Sequence, residues 1–93
     1  MKSLPDNLKM YKQTKIFDQN SIPKGLLKDH STMEGVWGRI CILEGKLLYT
    51  IQSNPIEEIE LSCEKYGVVE AQVLHFVSPI RDVKVKFYVE FYK

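Results

Sequence analysis

His30 and His75 are the only imidazoles in the chain, and each stands beside a segment that reads as a strand. The chemistry open to such a pair is metal ligation. The oxygen donors nearest them in sequence, Glu34, Glu70 and Gln72, would complete a site of two imidazoles and one oxygen ligand. The plainer expectation for two histidines this far apart is that each makes a hydrogen bond in a loop or at a rim. Their spacing does not choose between the two. Glu57, Glu58, Glu60 and Glu64 read as the exposed side of a strand and loop, too clustered to be buried. Trp37, between Gly35 and Gly38, is either a pocket wall, since glycines permit close backbone approach, or a core aromatic. Cys41 and Cys63 lack the C-x-x-C spacing of a redox or zinc motif and read as buried free thiols. The chain has no G-x-S-x-G elbow, no glycine-rich phosphate loop and no Cys-His spacing of a nucleophile, so hydrolase and nucleotide-cofactor chemistry lack support.

The elements that must position these residues are strands. Val83, Val85, Phe87, Val89 and Phe91 alternate with Lys84, Lys86, Tyr88, Glu90 and Tyr92, the period of a long half-buried strand that needs neighbours on both edges. Residues 36–43 and 46–52 flank Glu44-Gly45, which predicts a β-hairpin with glycine at a positive φ. Weaker alternation in Ile56, Ile59 and Leu61, then in Val68-Val69-Glu70 and residues 73–77, predicts three short strands, and Tyr11 to Phe17 predicts another. One helical turn is expected over Ser21 to Leu27, capped by Ser21 and kept short by Gly25. Strands at spacings of roughly 8 to 12 residues point to an antiparallel sandwich or barrel.

The 93 residues fit one domain, with residues 1–10 as a loose leading segment. A hydrophobic content of 44% and a charged content of 27% are those of a globular protein. Thirteen Lys plus Arg against twelve Asp plus Glu leave a net charge of +1, too balanced for a nucleic-acid footprint. No apolar run approaches the roughly 20 residues of a membrane span, and no apolar stretch of a signal peptide follows Lys2. The expectation is a cytoplasmic protein with neither nucleic-acid nor membrane partners.

Tyr11-Lys12-Gln13-Thr14, Ile22-Pro23-Lys24-Gly25-Leu26-Leu27-Lys28-Asp29-His30-Ser31-Thr32, Gly35-Val36-Trp37-Gly38-Arg39, Leu43-Glu44-Gly45-Lys46-Leu47 and Val89-Glu90-Phe91-Tyr92-Lys93 resemble the TehB N-terminal and YeaR-like domain family. The resemblance runs from Tyr11 to Lys93. It implies an all-β fold, a small antiparallel double-stranded β-helix of the cupin-like, jelly-roll kind with one short helical turn. It also implies a pocket drawn from His30, Trp37, Arg39, Gln72 and His75. His30, His75, Glu70 and Gln72 are the candidate ligands of a divalent metal such as zinc, iron, nickel or manganese. Family members fused to a methyltransferase are linked with tellurite resistance, but a glycine-rich cofactor segment is missing here, so methyl transfer by this chain is not expected.

The leading functional expectation is a module that binds a small molecule, an oxyanion or a metal in its barrel mouth in a stress-resistance setting. The alternatives are a small metal-dependent cupin enzyme and a homodimeric interaction module that uses exposed Tyr88 and Tyr92. The sharpest expectation is geometric: His30 and His75 should converge on one mouth.

Overall fold

The computed structural model describes residues 1–93. In chain order the elements are β1 (Met10–Gln13), β2 (Phe17–Asp18), a 3-10 turn (Lys24–Leu26), β3 (Trp37–Gly45), β4 (Leu47–Ile51), β5 (Glu57–Leu61), β6 (Gly67–Val69), β7 (His75–Pro79) and β8 (Val85–Tyr92). They form two antiparallel sheets. The larger has the order β1-β8-β3-β6, with β2 also on β8, and the smaller has the order β5-β4-β7. No ladder joins the two sheets, so the expected barrel does not close.

β8 has neighbours on both edges, as its length requires: β3 along one, and β1 and then β2 along the other. The expected strand from Tyr11 to Phe17 is two pieces. Thr14 stands at the break and still holds β8, giving its N–H to the Val89 carbonyl at 2.9 Å and accepting the Val89 N–H on Oγ1 at 3.0 Å. The inward side chains of β8, Val85, Phe87 and Val89, meet Ile40 and Ile42 of β3 and Leu47, Tyr49 and Ile51 of β4 in one core. The phenol of Tyr49 enters that core by donating to the Val68 carbonyl at 2.9 Å.

Glu44-Gly45 is not the turn of a hairpin. β3 pairs with β6 and β8, whereas β4 pairs with β5 and β7, so the chain leaves one sheet after Gly45 and enters the other at Leu47. The apolar residues of both strands face the same core, and they do so by lying in opposite sheets. Gly45 has φ +76, and a Cβ built there would lie 1.7 Å from the carbonyl oxygen of Lys84. The glycine signal is real, but what it permits is close passage beside β8.

Ser21 does not cap the helical turn. Its hydroxyl accepts from the Asp18 N–H at 2.8 Å and donates to Asp18 Oδ1 at 3.0 Å, and the 3-10 turn begins after Pro23 without a side-chain cap. Tyr88 and Tyr92 are half-buried, not exposed, and Glu90 is buried between them. Cys41 is half-buried and Cys63 exposed, both as free thiols, so the expected burial of Cys63 fails because it sits in the turn between β5 and β6. In residues 1–10, where a loose segment is expected, the Met1 ammonium meets Glu57 at 2.6 Å and the Lys9 N–H meets the Lys93 carbonyl at 3.2 Å. No helix is long and apolar enough to cross a membrane.

Two glycines with positive φ separate strain from close approach. Gly35, φ +77, has open space around its Cβ position, whereas Gly45 has backbone there. Gly35→Ala should cost about 1 kcal/mol of unfolding free energy in urea, and Gly45→Ala about 3 kcal/mol or more. Equal losses would show that Gly45 has no special packing role.

Candidate functional site

β7 is paired with β4 along one edge. On its other edge it meets a single residue, His30, whose N–H donates to the His75 carbonyl at 3.0 Å while the His75 N–H donates to the His30 carbonyl at 2.9 Å. This reciprocal bridge sets the two side chains next to each other, with ring centroids 4.1 Å apart and planes tilted by 60°. The histidines therefore converge. His75 is 4% exposed, and its ring centroid lies 5.8 Å from that of Tyr49 with the two planes at 77°.

Both rings are oriented by backbone carbonyls. His30 Nδ1 lies 2.9 Å from the Lys28 carbonyl and His75 Nδ1 lies 2.9 Å from the Val73 carbonyl. A carbonyl only accepts, so each Nδ1 carries a proton, and in the neutral form of either ring the lone pair is on Nε2. Burial lowers the His75 pKa below 6.5; the hydrogen bond to Val73 opposes that, and the neighbouring His30 reinforces it.

The pair forms part of the wall of a cavity of about 320 Å³ between the sheets. Its deep walls are apolar: Ile40, Val69, Val77, Phe87, Val89 and Phe91. Tyr11, Lys12 and Met33, all exposed, stand at the rim. The alternation of β8 already marks its apolar wall residues as inward-facing, but nothing in the sequence says that space is left in front of them.

The other candidate residues lie elsewhere. On β3 the inward positions are Gly38, Ile40 and Ile42, which puts Trp37, Arg39 and Cys41 on the outer face. There Arg39 gives Nε and Nη2 to Glu90 Oε1 at 2.8 and 2.7 Å, and its guanidinium lies 5.3 Å from the ring centre of Tyr66 and 5.6 Å from that of Tyr92. Burial alone would raise the Glu90 carboxyl, but hydrogen bonds from Arg39 and Tyr92 outweigh it and hold the pKa below 4.5. Glu70 pairs with Lys2 at 3.0 Å beside a second hollow that Tyr49, Ile51 and Glu57 also line. Gln72 is exposed in a turn at φ +66, and Glu34 is exposed. No three His, Cys, Asp or Glu side chains stand together. The two imidazoles are one donor short of the usual three protein ligands of a catalytic centre, so no metal chemistry is assigned to them.

Residues 12–89 match the family model described as TehB-like domain. Over 83 residues, 85% of this chain and 29% of the relative, the sequence is 29% identical to the probable S-adenosyl-L-methionine-dependent methyltransferase TehB of Haemophilus influenzae. The crystal structure of TehB from that organism is similar with a TM-score of 0.83 at 27% identity, covering 94% of this chain and 32% of that one. A crystal structure of an Escherichia coli K12 protein is similar in fold with a TM-score of 0.82 at 18% identity, covering 100% and 97% of the two chains. The chain thus spans about a third of the length of TehB.

Two measurements check this geometry. As the pH falls through 6.5 the unfolded chain takes up a proton before buried His75 does, so His75 favours the folded state above that pH and the advantage declines below it. Urea unfolding between pH 8 and pH 6 should show this loss in the parent and a smaller one in His75→Phe. Arg39→Ala, which strands the Glu90 carboxylate, should cost about 2 kcal/mol in the same assay. Any binding in the cavity should be unchanged by it, and altered binding would place Arg39 in the site.

Proposed function

The chain belongs to the TehB-like domain family, and on that premise we propose that it is a small-molecule-binding domain whose site is the cavity beneath the His30 and His75 rings. The observation that carries this reading is the cavity itself: about 320 Å³, walled by core-facing side chains, with two imidazoles held in fixed orientation at its wall. Ligand sites are typically apolar concavities with a few placed polar groups.

The same reading includes a cupin-like jelly roll left open. A jelly roll is two facing sheets of four strands, and the order β1-β8-β3-β6 supports one complete sheet. The order β5-β4-β7 supports the second, with the His30 bridge at the place on β7 where a fourth strand would pair. On this reading His30 is what remains of that strand, and its loss opens the cavity toward solvent. In TehB of Haemophilus influenzae a counterpart of this chain is one third of a longer methyltransferase. We assign this chain the binding role alone, in the tellurite and oxyanion stress setting that the family resemblance implies.

The test is a fragment screen on the isotope-labelled full chain, read by amide chemical shifts. Small apolar and aromatic molecules should perturb Val69, Val77 and Phe87, and Val69→Phe, which fills the cavity, should weaken them at least about tenfold. Shifts confined to the outer face around Arg39, or none at millimolar ligand, would overturn the reading.

A further inference from the structure

The buried part of the cavity wall offers acceptors, and the free donors of the lining, the Tyr11 and Ser31 hydroxyls and the Lys12 ammonium, stand on exposed residues. Both Nδ1–H groups are committed to backbone carbonyls, so the groups left to a ligand are the Nε2 lone pairs of His30 and His75. The threonine hydroxyls of the lining are spent as well. Thr14 Oγ1 donates to the Lys15 carbonyl at 2.8 Å, and Thr32 Oγ1 donates to the Val36 carbonyl at 2.6 Å. Lys12, the one lysine or arginine of the lining, is exposed at the rim, 5.9 Å from the ring centre of Phe91.

From this we infer that the site selects small, largely apolar molecules carrying one hydrogen-bond donor, a hydroxyl or an N–H, which His30 and His75 receive on Nε2. The inference rests on the cavity being a ligand site, and it names the class of ligand. A cavity of ~150 Å³ holds one benzene ring, so about 320 Å³ takes a body of one or two rings or the equivalent branched aliphatic. The donor then sits against two lone pairs, where a desolvated polar group would otherwise go unpaired. Carboxylates and oxyanions are disfavoured at the buried end, because they bring further acceptors to the two Nε2 lone pairs there, away from the exposed Lys12.

The experiment compares phenol, toluene and benzoate, titrated at pH 8 into the full chain and followed by amide shifts of Val69, Val77 and Phe87. Phenol and toluene differ by a hydroxyl in place of a methyl group. An apolar cavity without a hydrogen-bond partner would favour toluene by roughly tenfold or more. The inference requires the reverse: phenol at least about tenfold tighter than toluene, and benzoate weaker than phenol. In His30→Phe and in His75→Phe the preference for phenol should collapse while toluene binding persists. Should one variant fail to fold, the parent ratios and the other variant still decide. Equal or tighter binding of toluene overturns the donor inference and leaves the cavity as a ligand site. Benzoate as the tightest ligand overturns it in favour of an anion site. Failure of all three probes at saturation counts against the class of ligand and the cavity reading together.

Discussion

β8 needs hydrogen-bond partners for eight consecutive residues, and the larger sheet is organised by how it finds them. β3 supplies one edge over nearly its whole length, and β1, Thr14 and β2 share the other. With both edges taken, β8 is fixed in the middle, and its inward side chains Val85, Phe87 and Val89 become the floor against which the smaller sheet packs. β3 has β8 on one edge and β6 on the other, and β4 does not fold back onto it as a hairpin. β4 crosses instead to the facing sheet and takes β5 and β7 as partners. Gly45 is the residue that makes the crossing sterically possible.

The candidate site is a consequence of where that packing stops. β7 is partnered by β4 on one side and by His30 alone on the other, so the smaller sheet ends in a single bridge, not a strand. The core side chains of β8 and β3 nearest that edge have no strand above them, and the space they leave is the cavity. One pair of backbone hydrogen bonds thus does two things: it closes the edge of β7, and it sets two imidazoles side by side. The carbonyls of Lys28 and Val73 then orient the rings, leaving Nε2 as their free atoms.

The outer face of the larger sheet follows a different logic. Arg39 and Glu90 are cross-strand partners, and Tyr66 and Tyr92 flank the guanidinium. Charge and aromatic surface there are used against each other, which is why Glu90 is buried at a position that alternation marks as polar and outward. The pair is a means of covering a sheet face that no second layer protects.

The all-β class, the long central strand at the C-terminus and the inward set of β8 are legible in the residues, because a period of two on a pleated strand is a local property that side-chain chemistry writes directly into the sequence. The positive φ at Gly45 is legible too. The partners of the strands are not. Which sheet β4 joins, and whether the sheets close, depend on competition among edges far apart in the chain, and alternation says only that a strand has an inner face. For the same reason Trp37 and Arg39 fall on the outer face and Glu70 beside a second hollow, although all three lie near the histidines in strand or loop order. The convergence of His30 and His75 could be expected only through family resemblance. What brings them together is a bridge between residues 45 positions apart, and only the tertiary structure, by leaving the edge of β7 otherwise unpaired, decides that this bridge forms.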